Sequence, residues 1–250
     1  MKLFGIIGYP LGHSFSQKHF TDKFDRDQLA DHCYRKFELP DISLLPSLIE
    51  SEPELRGFNV TIPYKVQVMD YLDEIDETAT GIGAVNTVRV TRREGKPFLK
   101  GFNTDAPAFR ESLLKNLITL PESALVLGTG GAAKSVMHTL IDLNIIAIPV
   151  SRQPVRGGFT YDDLPGDVIS EAGLIVNATP LGTAPDVDAM PPIDYSHLRE
   201  GQMFFDLVYN PPVTSFLALG EEHGCQTVNG EEMFLVQAEL AWEIWNADIR

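Results

Sequence analysis

The 250-residue sequence predicts an α/β protein of two domains. Three observations predict it. Short apolar runs alternate with amphipathic stretches along the whole chain, the pattern of parallel or mixed sheets covered on both faces. The run Leu125-Val-Leu leads directly into Gly128-Thr-Gly-Gly-Ala-Ala133 and then a helix-like stretch. Two such series are separated near residue 105, where an amphipathic helix begins (Phe109, Leu113, Leu114, Leu117).

In the first series, residues 3–7 read as a strand, 16–24 as a helix, 34–37 as a strand and 42–49 as a helix. Residues 58–62 form a strand stopped by Pro63, with a helix over 66–72. Residues 85–90 and 97–102 are strands around the polar turn 92–95. In the second series, residues 124–127 are a buried strand, 132–143 a helix and 145–150 a strand. Pro149 cannot donate to a sheet ladder, so that last strand has an exposed side. Residues 174–176 and 204–207 are further strands, 215–223 a helix, and 231–245 an amphipathic helix whose stripe (Phe234, Leu235, Ala238, Ala241, Trp242, Trp245) points to a core. There is no internal repeat and no low-complexity segment.

A net charge of −15 argues against a general affinity for nucleic acid, which depends on neutralising phosphates. It leaves small anionic ligands open, because these respond to local donors. Cys33 and Cys225 stand in no metal or redox spacing and read as free thiols of a reducing compartment. The opening MKLFGIIGYP lacks a signal core and cleavage site, and no apolar run is long enough to cross a bilayer. A cytoplasmic location is expected. The six histidines form no ligand spacing, so no metal is expected.

Chemistry concentrates at strand ends. In Gly57-Phe-Asn-Val-Thr-Ile-Pro-Tyr-Lys65, period-two alternation puts Asn59 and Thr61 on one strand face, with Lys65 just beyond. Gly83-Ala-Val-Asn-Thr87 and Gly101-Phe-Asn-Thr-Asp105 also bring amides and hydroxyls to strand ends. Each alone is as consistent with a turn; three together favour recognition of a polyol. Ser14-Phe-Ser-Gln17 fits a capping box with Ser14 at the cap. Two hydroxyls at a helix N-terminus also suit a small carboxylate, and His13 lies beside them.

Gly128-x-Gly130-x-x-Ala133 between a strand and a helix suits a dinucleotide pyrophosphate at the helix N-terminus; the alternative is a turn needed only for packing. At the end of the next strand stand Ser151-Arg152-Gln153, with Arg156 close behind, where an NAD site often has an acidic residue. An arginine fork suits a 2′-phosphate, unless Arg152 is simply a solvated surface residue. NADP is the expected cofactor.

Taken in order, GYPLGHSFS, GFNVTIPYK, GAVNT, GFNTD, GTGGAA, NATPLG, DLVYNPPVT and the glutamine-bearing last helix resemble the shikimate dehydrogenase family over nearly the whole chain. The resemblance implies reversible, NADP-dependent reduction of 3-dehydroshikimate to shikimate in aromatic amino-acid biosynthesis. It implies a substrate-binding and catalytic domain of residues 1–104 with 235–250, and a Rossmann-type NADP domain of residues 105–234, with the site in the cleft. Carried over by motif, Lys65 and Asp105 are the catalytic pair. Ser14 and Ser16 hold the carboxylate, and Asn59, Thr61, Asn86, Asp105 and Gln237 contact the ring hydroxyls or position groups that do. Gly128, Gly130, Gly131 and Ala132 line the pyrophosphate, Ser151, Arg152 and Arg156 the 2′-phosphate side, and Thr179, Leu207 and Gly230 the nicotinamide half.

Lys65 is then expected to stabilise charge on the reacting oxygen, with Asp105 orienting it. The expected partners are the small-molecule substrate alone, with no nucleic acid or membrane, in a monomer or homodimer. Ser151 and Gln153 depart from the family's Asn-Arg-Thr segment, weakening strict NADP preference while keeping its arginine. Little sequence separates Val150 from Leu174, which predicts a reduced strand there. Alternatives are a quinate/shikimate dehydrogenase of broader cofactor use, a non-catalytic ligand sensor, and, more remotely, a folate-linked dehydrogenase.

Overall fold

The alternating runs form twelve strands and eight α-helices among residues 1–12 and 15–247, which are those described by the computed structural model. Contacts divide the chain into two units, Met1–Thr104 with Gln237–Arg250, and Asp105–Val236.

The first unit is built on a mixed six-stranded sheet. Its strands are β1 (Lys2–Gly8), β2 (His32–Glu38), β3 (Leu55–Val60), β4 (Glu74–Ile75), β5 (Thr87–Arg93) and β6 (Lys96–Phe102), in the order β2-β1-β3-β5-β6-β4. β1 runs parallel to both β2 and β3, and β5 is antiparallel to β3 and β6. Carboxyl ends of β1, β3 and β6 therefore share one sheet edge with the amino end of β5. That edge gathers the asparagine segments.

Helices α1 (Ser16–Arg26), α2 (Leu45–Ser51) and α3 (Glu77–Ile82) cover this sheet. Three local expectations are corrected. Residues 42–49 are not one helix: a 3-10 turn at Ile42–Leu44, capped by the Asp41 carboxylate on the Ser43 N–H, precedes α2. Pro46 stands in the first turn of α2, where its missing N–H costs no bond. Residues 66–72 are a short 3-10 helix at Gln67–Tyr71, because the chain must at once hand over to the sheet through the Asp73 N–H on the Leu99 carbonyl. Finally, Phe15 rather than Ser14 is the cap residue of α1, with no side-chain cap bond. Gln17, expected to complete a capping box, instead donates to the Tyr34 carbonyl on β2.

One face of the sheet buries Leu3, Ile7, Phe58, Val60 and Val88 among its core residues; the other packs Phe4, Phe20, Phe24 and Tyr34 against Ala238, Ala241 and Trp245. The last three belong to α8 (Glu231–Asn246), whose residues from Gln237 onward lie in this unit. The Trp245 indole N–H donates to the Val88 carbonyl at 3.0 Å. A Cβ on Gly57 would sit 2.2 Å from that indole, so the strand admits the ring only where a side chain is missing.

The second unit opens with α4 (Asp105–Asn116), which carries Pro107 in its first turn. Its sheet is wholly parallel: β7 (Ser123–Leu127), β8 (Ile146–Ser151), β9 (Phe159–Thr160), β10 (Leu174–Asn177), β11 (Met203–Asp206) and β12 (Gln226–Val228). The order β12-β11-β10-β7-β8-β9 winds outward from β7 in one direction and then in the other. This is the doubly wound arrangement, with its switch point between β7 and β10. Helices α5 (Gly131–Asp142), α6 (Gly166–Glu171) and α7 (Ser215–Glu222) follow strands, and each face carries its own core.

Pro149 sits inside β8 without breaking its inner ladder. The Val150 carbonyl accepts from the Gly128 N–H, so Val150 faces β7 and Pro149 faces outward. The outer neighbour β9 is only two residues long and pairs from Val150 onward. The missing donor falls where no ladder needs it. Both cysteines are free thiols.

Candidate functional site

In the first unit the site begins where strands stop. β3 ends at Val60, two residues earlier than its apolar pattern suggests, so Asn59 is in the strand and Thr61 just outside it. Thr61 still ties to β1 through its N–H on the Ile7 carbonyl, and its methyl lies against Gly8, where a Cβ would approach it to 2.5 Å. Tyr64 then turns inward, its hydroxyl donating to the Leu39 carbonyl at 2.6 Å. Next comes Lys65, half-buried, with its carbonyl accepting from the Val85 N–H at 2.7 Å. That bond joins the lysine segment to the segment carrying Asn86.

Asn59 and Asn86 are 5% and 3% exposed, a degree of burial that demands hydrogen-bond partners. Two threonines supply them. The Asn59 amide donates to Thr87 Oγ1 (3.3 Å), which contacts Thr104 Oγ1 (3.2 Å). Asn86 Nδ2 donates to Thr104 Oγ1 (2.9 Å), and Asn86 Oδ1 accepts from the Thr104 backbone N–H (2.7 Å). A backbone N–H can only donate, so this last bond fixes which end of the Asn86 amide is oxygen. Asn103 Nδ2 secures the same edge by donating to the Ala84 carbonyl. The side chains form one connected polar strip at the end of the sheet, a surface suited to several hydroxyls in fixed positions.

Ser16 is buried as the first residue of α1, and Gln237 is half-buried on α8. Ser14 and His13 lie outside the described residues. Asp105 is buried as the first residue of α4 and follows Thr104 directly in the chain, but it belongs to the second unit.

In the second unit, the glycine loop has the geometry an anion needs. Gly128 holds φ +112°, outside the range of ordinary side chains, and a Cβ there would press on Thr179 and the Ala178 carbonyl. Gly130 caps α5 without a side-chain hydrogen bond, and nothing lies within 4 Å of where its Cβ would be. The first N–H groups of a twelve-residue helix thus face an open cradle, with Gly131 and Ala132 in its first turn. The residues present fit a pyrophosphate.

Two loops flank this cradle at the carboxyl ends of the neighbouring strands. At the end of β8, Ser151 is buried and its hydroxyl bonds the Gln153 carbonyl of its own loop, while Arg152 and Arg156 are exposed. Beyond β10, Thr179 lies beside Gly128, its hydroxyl donating to Asn177 Oδ1 at 2.6 Å. Gly230 packs on the backbone after β11: a Cβ would come within 2.3 Å of the Leu207 carbonyl oxygen. The structure therefore brings Gly128 to Thr179 and Leu207 to Gly230.

Sequence reasoning missed the residues behind these. Asn177 and Asp206 are fully buried at the ends of β10 and β11 and bond each other at 2.9 Å. Asp206 also accepts from the Val208 N–H (2.9 Å) and the Thr214 hydroxyl (2.6 Å). Burial nevertheless pushes its carboxyl up to about 6, the three hydrogen bonds opposing that rise only in part. In the first unit the missed residues are Tyr34, Thr87 and Thr104. The motifs containing Asn177, Asp206, Thr87 and Thr104 were visible, but their pairing across strands was not. Among the described residues no group of three or more His, Cys, Asp or Glu could hold a metal, and no helix is long and apolar enough to cross a membrane.

Comparison with known proteins bears on the same two units. Residues 6–88 match the family described as shikimate dehydrogenase substrate binding domain. The NADP(+) shikimate dehydrogenase of Carboxydothermus hydrogenoformans is 36% identical over 260 residues, covering 98% of this chain and 91% of the relative. That of Clostridium beijerinckii is 37% identical with 98% and 92% coverage. The crystal structure of shikimate 5-dehydrogenase from Thermus thermophilus in complex with NADP(H) and shikimate superposes with a TM-score of 0.85 at 33% identity, covering 98% of this chain and 94% of that one.

The buried Asp206 carboxyl has a measurable consequence. Its value is raised from 3.8 to about 6, so the folded state binds the proton more tightly than the unfolded state. Its favourable contribution is complete below pH 3.8 and is lost as pH rises through about 6, a change of roughly 3 kcal/mol. Asp206→Asn keeps the oxygen facing Asn177 and Val208 and can donate to Thr214. Urea unfolding between pH 4 and 7 is expected to show the variant gaining on the native protein by about that amount. Parallel pH profiles would show that Asp206 keeps an ordinary carboxyl.

Proposed function

Because this chain belongs to the shikimate dehydrogenase family, we propose that it catalyses the reversible, NADP-dependent reduction of 3-dehydroshikimate to shikimate, a step of aromatic amino-acid biosynthesis. The observation that carries the reading is the pairing of two different strand edges in one chain. One unit presents fixed amides and hydroxyls, which suit a polyol. The other presents a glycine turn and an open helix N-terminus, which suit a dinucleotide.

In this reading residues 1–104 with 235–250 bind the substrate, and residues 105–234 bind NADP. Asn59, Thr61, Asn86 and Gln237 hold the ring hydroxyls, and Ser14 and Ser16 the carboxylate. Gly128, Gly130, Gly131 and Ala132 take the pyrophosphate. Arg152 and Arg156 read the 2′-phosphate from the loop that Ser151 shapes. Thr179, Leu207 and Gly230 border the nicotinamide. When bound, the nicotinamide supplies or accepts the hydride. During reduction negative charge grows on the substrate oxygen, and the Lys65 ammonium donates to it, lowering the barrier and delivering the proton. Asp105 binds a hydroxyl and holds the lysine in line. The protein acts in the cytoplasm as a monomer or homodimer, a range that sedimentation of the purified protein would narrow or exceed.

The deciding assay is the initial rate of nicotinamide reduction with shikimate or quinate and NADP or NAD. Rapid turnover with shikimate and NADP is expected. Efficient use of quinate or NAD would assign the protein to a broader-specificity branch, and absence of turnover from folded protein would remove the enzymatic reading. Lys65→Ala is expected to lower kcat by about 10²–10⁴-fold with cofactor affinity nearly unchanged; near-native turnover would take lysine out of the mechanism. Arg152→Ala is expected to raise KM for NADP by roughly ten- to a hundredfold, as for the loss of a charge-assisted bond, and to leave KM for NAD alone. Equal effects on both would mean the arginine does not read the 2′-phosphate.

A further inference from the structure

Tyr34 lies on β2, at the edge of the first sheet and two strands away from Asn59 on β3. It is 3% exposed, and its ring stacks on Phe20 of α1 at 4.6 Å between centroids and 11° between planes. Phenylalanine at position 34 would fill that aromatic cluster equally well. The hydroxyl is what differs, and it donates to Asn59 Oδ1 at 2.7 Å across the aromatic face of the sheet.

A primary amide is almost symmetric in shape, so packing alone does not decide which end is oxygen. Asn59 is held on both sides by hydroxyls. Tyr34 engages its oxygen and Thr87 accepts from its nitrogen. The line continues through Thr104 to Asn86, whose orientation the Thr104 backbone N–H fixes. With Tyr34 donating at one end, the bonds run from Tyr34 to Asn59 and from Asn59 to Thr87. Thr87 can then donate to Thr104, whose hydroxyl lies within reach of Asn86 Oδ1 (3.2 Å) while accepting from Asn86 Nδ2. Thr87 takes one N–H of the Asn59 amide, and in this reading the second is the one offered to a ligand.

We propose that Tyr34 is a positioning residue for substrate recognition: its phenol orients the Asn59 amide so that an N–H, rather than the oxygen, is presented to a substrate hydroxyl. This rests on the reading of Asn59 as a substrate-binding residue. Without the phenol, the amide can turn end over end and present a mixture of donor and acceptor. The orientation of the strip then depends on Asn86 alone, and substrate affinity falls while the cofactor unit is untouched.

The test is Tyr34→Phe in the full-length protein, once turnover of shikimate with NADP has been established for the native chain. KM for shikimate is expected to rise about tenfold, the scale of one hydrogen bond, with a smaller change in kcat and KM for NADP within twofold. In an Asn59→Ala background the same change should add nothing, because the residue it acts through is gone. Thr87→Val should repeat the rise in KM from the other side of the amide, and Thr87→Ser should restore it. Unchanged KM for shikimate in Tyr34→Phe, equal changes in both KM values, or full additivity with Asn59→Ala would each overturn the proposal while leaving the enzymatic assignment standing. Should Tyr34→Phe not fold, the Thr87 pair decides: a KM unaffected by Thr87→Val overturns it.

Discussion

A polar side chain buried at the end of a strand must find its hydrogen bonds inside the protein, and both units are organised around that requirement. In the first unit the buried groups are two asparagine amides, reconciled by Thr87 and Thr104. In the second they are Asn177 and Asp206, reconciled with Thr214 and the backbone of the following loop. Neither set could be satisfied by solvent at this burial. Each links neighbouring strand ends to one another, so the loops leaving those strands start from defined positions.

The two edges differ in what they leave over. In the first, the buried amides are held in fixed orientations by threonine hydroxyls, and groups fixed in this way need no reorganisation to act as directional partners. In the second, the satisfied groups lie beneath the site and the open ones are backbone: the N-terminal turn of α5, capped by glycine and unobstructed. A polyol is recognised by directional side chains, and a pyrophosphate by a helix end that any side chain would block.

Asp206 shows the cost of this organisation. Three hydrogen bonds do not compensate for removing its charge from water, and its carboxyl stays well above the ordinary value. The unit accepts an energetic penalty near neutral pH to keep the ends of β10 and β11 joined. Opposing it is the apolar core on each face of a parallel sheet whose central strands are wholly buried.

Much of this could be read before the structure. Period-two runs located the main strands, the glycine loop located the helix N-terminus, and the amide-bearing motifs marked the sheet edge, because each depends on residues close together in the chain. The exposed side expected at Pro149 is not found: the residue is buried against Gly158 of the following loop, and only its missing donor falls where no ladder needs it. The 3-10 turns after Asp41 and Val66 were not legible, since their geometry is set by tertiary hydrogen bonds to strands elsewhere. Nor was the role of Gln17, which left a local cap for a carbonyl on β2. By itself, the sequence determined which elements form and which residue types stand at their ends. Only the tertiary structure decided which hydroxyl meets which amide and how far burial shifts a carboxyl, because those bonds join residues separated by tens of positions and exist only after the sheets have assembled.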